Sequence, residues 1–207
     1  MPEENAPRRT RADGRRVRSE RTKQGIVEAY LALVRADWPI LPTAAKLAER
    51  AGCSVRSIFE RFPDIPSLQV AAADYAIQQV VAMAAPRDGG GDRAARIKSH
   101  VNTRARASEH WLPLWRALMA LQDDSVELKA RTRAMRERVL SLMEHMYGPE
   151  LSTLDDGARR QMLVALSAIV DVESWATMRE QFGLSVEEAS AAWLQAIDRL
   201  LPPTPAP

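Results

Sequence analysis

Arg56, Ser57, Glu60 and Arg61 share the polar face of one short stretch, CSVRSIFERF, at residues 53–62. On an α-helix these are side chains that can read nucleic acid, or else a solvated polar face. A guanidinium fork matches guanine O6 and N7, a hydroxyl serves several base edges, and a second cation holds a phosphate. Glu60 either stays solvated, pairs with an arginine, or accepts from cytosine N4. Val55, Ile58, Phe59 and Phe62 fall at i, i+3, i+4 and i+7, which is a single helical stripe. So short a helix has no stability of its own, so the stripe must dock on other elements.

No other constellation competes with this one. One cysteine, Cys53, and three scattered histidines give no metal-ligand spacing. There is no nucleophile–base set and no phosphate loop, so neither an enzyme nor a cofactor is expected. Cys53 reads as a small buried apolar residue, and a lone cysteine fits a reducing compartment. The net charge of +2 hides an asymmetry: residues 1–62 hold 13 basic and 8 acidic side chains, and the remainder holds 16 and 19. The basic excess is densest at residues 8–23, which points to a polyanion partner for the front of the chain. The N-terminus carries no apolar h-region, and the longest apolar run, MLVALSAIV, stops at Asp171. The expectation is a cytoplasmic protein with no signal peptide and no membrane span.

The elements that must position these residues read as helices throughout. Residues 1–18 have almost no large apolar side chain and read as a disordered basic arm. Ser19 then caps a helix to about residue 36, with Ile26, Val27, Tyr30, Leu33 and Val34 on its inner face. DWPILP ends it. A second helix spans about 43–50, Gly52 turns the chain, and Ser54 caps the third. Asp64 caps a fourth helix to about residue 85, and PRDGGGD breaks the pattern at 86–92. Further helices follow at about 92–109, 113–121, 125–147, 157–182 and 185–201. Between them GPELSTLDDG is a loop, and residues 202–207 form a disordered tail. The spacing predicts an all-α fold of nine helices. Residues 19–65 read as a helix-turn-helix DNA-binding domain, and 66–201 as a second helical domain.

The stretch TAAKLAERAGCSVRSIFERFPDIPSL resembles the DNA-binding signature of TetR-type (TetR/AcrR-like) transcriptional regulators. That signature is roughly T-x-x-x-I-A-x-x-A-G-V-S-x-x-T-L-Y-x-H-F-x-S-K-E-x-L. Thr43, Leu47, Ala48, Ala51, Gly52, Ser54, Ser57, Ile58, Phe62, Asp64 and Leu68 match it by identity or type. The resemblance implies a homodimer on a palindromic double-stranded DNA operator, a repressor released by a small apolar or aromatic effector, with residues 66–201 as its ligand-binding and dimerisation domain. It implies DNA contacts from Thr43, Lys46, Ser54, Arg56, Ser57, Phe59 and Arg61, with Arg18 and Arg21 of the arm. Three departures stand out. Phe59 lacks the hydroxyl of the usual tyrosine, Arg61 replaces histidine, and Ile65-Pro66 replaces Lys-Glu. They leave open a second reading, a helical ligand-binding or interaction module that has lost sequence-specific DNA binding.

Beyond the signature, Trp111, Trp115, Met119, Met135, Met143, Trp175 and Met178 are the candidate walls of an effector pocket or else plain core. Tryptophan supplies flat surfaces, and methionine adapts to irregular ones. Asn102, His110 and Asp171 are its candidate polar handles. Leu166, Ile169, Val170, Trp193, Leu194 and Ile197 lie on helices with apolar residues on more than one face. They are the candidate dimer interface.

Overall fold

The computed structural model describes residues 11–83 and 91–205, and every regular element among them is helical. The α-helices are α1 (Arg11–Asp37), α2 (Ala44–Ala51), α3 (Val55–Phe59), α4 (Ile65–Met83) and α5 (Arg93–Leu121). They continue with α6 (Val126–Met146), α7 (Gly148–Leu151), α8 (Asp156–Ile169), α9 (Val172–Ala176) and α10 (Val186–Leu200). A 3-10 turn, Gln122–Asp124, follows α5, and a π-helical turn, Thr177–Gln181, follows α9. Two compact units divide between Ala72 and Ala73. This is later than residue 65, because the first half of α4 buries Leu68 and Ala72 in the N-terminal core.

In the first unit α1 buries Ile26, Val27, Tyr30 and Val34, α2 buries Leu47 and Ala48, and the α3 segment buries Ile58 and Phe62. Leu33 is only half-buried. The second unit closes on a core drawn from α5 (Ile97, Val101), α6 (Met143, Met146), α8 (Leu166), α9 (Trp175) and α10 (Trp193, Ile197). No helix among the described residues is long and apolar enough to cross a membrane.

Several boundaries differ from the sequence reading. α1 begins at Arg11, so Ser19 is interior and residues 11–18 are helical. They contain good helix formers and no proline. The rest of the expected arm, residues 1–10, lies outside the described residues, as does the 86–90 portion of the PRDGGGD break. α5 runs unbroken through Pro113. An interior proline costs about 3 kcal/mol. Burial of Ser108, Trp111, Leu114 and Ala117 on either side of it outweighs that cost. The expected loop at GPEL forms the single turn α7. The expected helix 157–182 breaks at Val170, where the Asp171 carboxylate accepts from the Glu173 N–H and starts α9.

The tail is also anchored in part. Arg93 donates to the carbonyls of Asp198, Leu201 and Pro202, and the Thr204 hydroxyl donates to Glu150. Only residues 206–207 lie outside the described residues there. Glu150 is itself fully buried and accepts from Arg96, whose other terminal nitrogen donates to the Gly91 carbonyl at 2.6 Å. Removing one partner of a buried ion pair strands the other charge away from water. Glu150→Ala is therefore expected to lower the unfolding free energy by about 3–5 kcal/mol, read by urea denaturation.

Candidate nucleic-acid interface and ligand cavity

A chain of caps shapes the α2–α3 corner. The Thr43 hydroxyl accepts from the Lys46 N–H at 3.3 Å and starts α2. Gly52 ends it with φ 63°, a left-handed conformation that costs a residue with a Cβ about 1–2 kcal/mol. The Gly52 and Cys53 amides then satisfy the carbonyls of Glu49 and Ala48. One residue later Ser54 caps α3 by accepting from the Ser57 N–H at 3.1 Å. Cys53, between them, is half-buried and free of any disulfide.

This corner turns Val55, Arg56 and Phe59 outward. Phe59 is 43% exposed, beside the equally outward Val55. The Arg56 side chain is 88% exposed and its Nε donates to Glu60 at 2.9 Å, one turn along. Such an exposed pair contributes only about 0.3–0.5 kcal/mol, so Arg56 swings away from it at little cost. Thr43, Lys46 and Ser54 are exposed and Ser57 is half-buried. Lys46 pairs with Asp37 at 2.7 Å. Arg18 and Arg21 are exposed on α1 and belong to a helix rather than an arm.

Arg61 behaves differently from Arg56. Its side chain is only 21% exposed, and Nη1 donates to the Ser57 carbonyl at 2.9 Å. It closes the last turn of α3 in the way a basic side chain caps a helix C-terminus.

The second unit holds a partly open cavity of about 100 Å³. Val80 of α4, Trp111 and Trp115 of α5, Met135 and Val139 of α6, and Val172 of α9 supply its apolar walls. Arg104, Arg136, Ser167 and Asp171 supply the polar lining. Three of the candidate pocket residues, Trp111, Trp115 and Met135, are thus brought together. The other four are not. Met143 is core, and Met178 packs against that core. Met119 accepts at sulfur from Gln122 and Arg136.

Trp175 is held as core for a visible reason. Its ring packs on Trp193 with centroids 4.7 Å apart, and its N–H donates to Glu109 at 2.7 Å. Partial burial pushes the Glu109 carboxyl upward, but the Arg179 and Trp175 donors outweigh this and hold it below its usual range. Of the candidate handles, Asp171 lines the cavity, whereas Asn102 and His110 are exposed, His110 edge-on to Trp111 at 4.8 Å.

Sequence reasoning missed Arg104 and Arg136. Arg104 was legible in principle, because 104, 107, 111 and 115 form one helical stripe. It donates through Nε and Nη2 to the Val170 carbonyl at 3.2 and 2.6 Å, closing the C-terminal end of α8. Among the described residues no group of three metal-ligating side chains comes together.

No protein-family model and no curated protein matches the sequence. Solved structures do. A transcriptional regulator from Rhodococcus sp. Rha1 is similar with a TM-score of 0.71 at 14% identity, over 86% of this chain and 95% of that one. A TetR-family transcriptional regulator from Rhodococcus sp. gives 0.62 at 21% identity, over 88% and 99%. The multidrug binding protein EbrR, solved with imidazole, gives 0.64 at 17% identity, over 91% and 93%. The chain has the TetR-type fold.

Within the second unit of this TetR-type fold, α8 and α10 do not expose the residues that the sequence suggested for a dimer. Leu166, Val170, Trp193 and Ile197 are buried inside the single chain, and Ile169 and Leu194 pack partly buried against them. They serve the protomer's own core, since both helices turn their larger apolar stripe inward. The outward faces carry Gln161, Val164 and Ala168 on α8, and Ala191, Gln195 and Arg199 on α10. Val164 is 57% exposed.

The contrast between the two arginines of α3 is directly measurable. Arg61→Ala is expected to lower the unfolding free energy by about 1 kcal/mol, since it removes a part-buried hydrogen bond. Arg56→Ala is expected to change it by no more than about 0.5 kcal/mol. Urea denaturation of the two variants compares them.

Proposed function

We propose that this protein is a non-enzymatic, ligand-responsive transcriptional regulator of the TetR type. It binds a palindromic DNA operator as a homodimer and is released by a small aromatic effector. The observation that carries the proposal is a pairing within one chain. A capped helix-turn-helix turns Arg56 and Phe59 to solvent in one unit, and a cavity walled by Trp111 and Trp115 lies in the other. A DNA partner carries a cytoplasmic location with it.

The chemistry of recognition follows from the exposed face. Arg56 sits in the first turn after the Ser54 cap, where a recognition helix meets base edges, and makes a bidentate contact to guanine. Phe59, without a hydroxyl, offers an apolar edge suited to a thymine methyl. Thr43, Lys46 and Ser54 lie on the same exposed corner and serve the backbone. Arg18 and Arg21 add positive charge.

Two-fold symmetry comes from the outward faces of α8 and α10, where small residues permit close approach. Effector control runs through α4. It contributes Leu68 and Ala72 to the first core, Val80 to the cavity lining, and Asp74 to a two-pronged ion pair with Arg131 of α6 at 2.9 and 3.0 Å. A ligand filling the cavity displaces Val80 and Met135 and so biases α4. A coupling of about 1–3 kcal/mol is the usual scale of such control.

One observation favours the alternative, a ligand-binding module without sequence-specific DNA recognition: the Arg61 side chain is largely buried and spends a donor on the Ser57 carbonyl, which leaves it less to offer a phosphate. Fluorescence anisotropy with the DNA upstream of the protein's own gene separates the two. Arg56→Ala should lose about 1–3 kcal/mol on the native operator and relax preference at one position. Val164→Glu should yield a folded monomer by sedimentation and lose operator affinity, whereas Trp193→Glu should unfold the protomer. Wild-type binding no tighter than on scrambled DNA, at several salt concentrations, establishes the alternative instead.

A further inference from the structure

We infer that the cavity selects an aromatic anion, a carboxylate or its equivalent, with Arg136 as the anchoring cation. This rests on the reading of the cavity as the effector site and adds the charge of its ligand.

Three charged side chains line the cavity: Arg104, Arg136 and Asp171. Two are engaged in holding the framework. Arg104 spends Nε and Nη2 on the Val170 carbonyl, and Asp171 spends Oδ1 on the Glu173 amide as the cap of α9. Arg136 is not used in this way. Among the described residues its guanidinium meets only the Met119 sulfur, at 3.5 Å, and has no carboxylate within ion-pair distance. A thioether is a weak acceptor. Of the other arginines on α6, Arg131 pairs with Asp74 and Arg133 with Glu137, and Arg138 is not part of the cavity lining. With two arginines against one aspartate the lining is net positive, and Arg136 is the cation whose donors are open to a ligand. Its charge sits on a planar fork whose geometry fits a carboxylate with two parallel hydrogen bonds.

The rest of the lining fixes the ligand's body. Trp111 and Trp115 lie one turn apart on α5 and offer aromatic surface. Met135 and Val139 face them from α6 with apolar, adaptable surface. These low-dielectric walls strengthen a charge pair at their edge relative to one on open surface. A cationic ligand meets repulsion from Arg136 and finds only Asp171, one of whose oxygens is already committed. A neutral ligand gains at most a single hydrogen bond from the fork and no charge pair.

The test is tryptophan fluorescence titration with three probes of one shape: 2-naphthoate, 2-naphthamide and 2-naphthylmethylammonium. Wild-type protein is expected to bind the carboxylate about tenfold tighter than the amide, and the ammonium weakest. Arg136→Gln should bring the carboxylate to within about twofold of the amide while leaving the amide unchanged. Arg136→Lys, which keeps the charge but not the fork, should fall between. Equal binding of carboxylate and amide by the wild type, tightest binding of the ammonium, or equal losses of carboxylate and amide in Arg136→Gln would overturn the anion assignment and leave the cavity's role intact. Failure of all three probes to bind would remove the effector-site reading and this inference together.

Discussion

A five-residue helix makes too few internal hydrogen bonds to hold itself, so everything α3 presents depends on the burial of Ile58 and Phe62 beneath it. Those two side chains join Ile26, Val34, Leu47 and Leu68 in the first core. Lys23 lies 5.6 Å over the Phe62 ring and covers its edge. With the inner face fixed, the ends are fixed by polar chemistry: Ser54 at the start, Arg61 at the finish. Only then are the remaining directions of α3 determined, and those directions belong to Val55, Arg56 and Phe59. The exposed face is a consequence of the buried one.

The second unit divides its large side chains by the same logic. Trp175 and Trp193 pack at a tilt against one another, and their N–H groups reach Glu109 and Ser174 at the edge of the core, so both are satisfied. Trp111 and Trp115 instead stand beside open space. The difference lies in packing partners rather than residue type. It turns on the interruption at Val170–Asp171, where α8 stops and α9 begins. Arg104 and Asp171 secure that junction, and in doing so they shape the cavity and leave Arg136 as its uncommitted charge.

The sequence made the caps and the turn legible, because their chemistry is local. Ser54 and Asp64 each accept from the backbone N–H three residues on, as their positions before apolar-periodic stretches suggested, and Ser125 and Ser185 do the same. Gly52 and the apolar stripe of α3 were legible for the same reason. Features that depend on distant partners were not. Ser19 has the chemistry of a cap but sits inside a longer run of helix formers. Pro113 has the chemistry of a helix start but lies where burial on both sides carries the helix through. The apolar residues of α8 and α10 gave no sign of which face the protomer itself would bury, so core was taken for interface. Likewise, tryptophan and methionine spacing cannot separate a wall of a cavity from the filling of a core.

The central claim is that α3 reads DNA through Arg56, and guanine methylation interference tests it most directly. Methylating N7 blocks one of the two acceptors that a bidentate arginine needs. The account predicts, in each half-site, one guanine whose methylation excludes wild-type protein from the bound fraction. Arg56→Ala, bound at higher protein concentration, should no longer discriminate at that guanine while keeping every other position of the pattern. An interference pattern that is identical for the two proteins, or the absence of any interfering guanine, would contradict it.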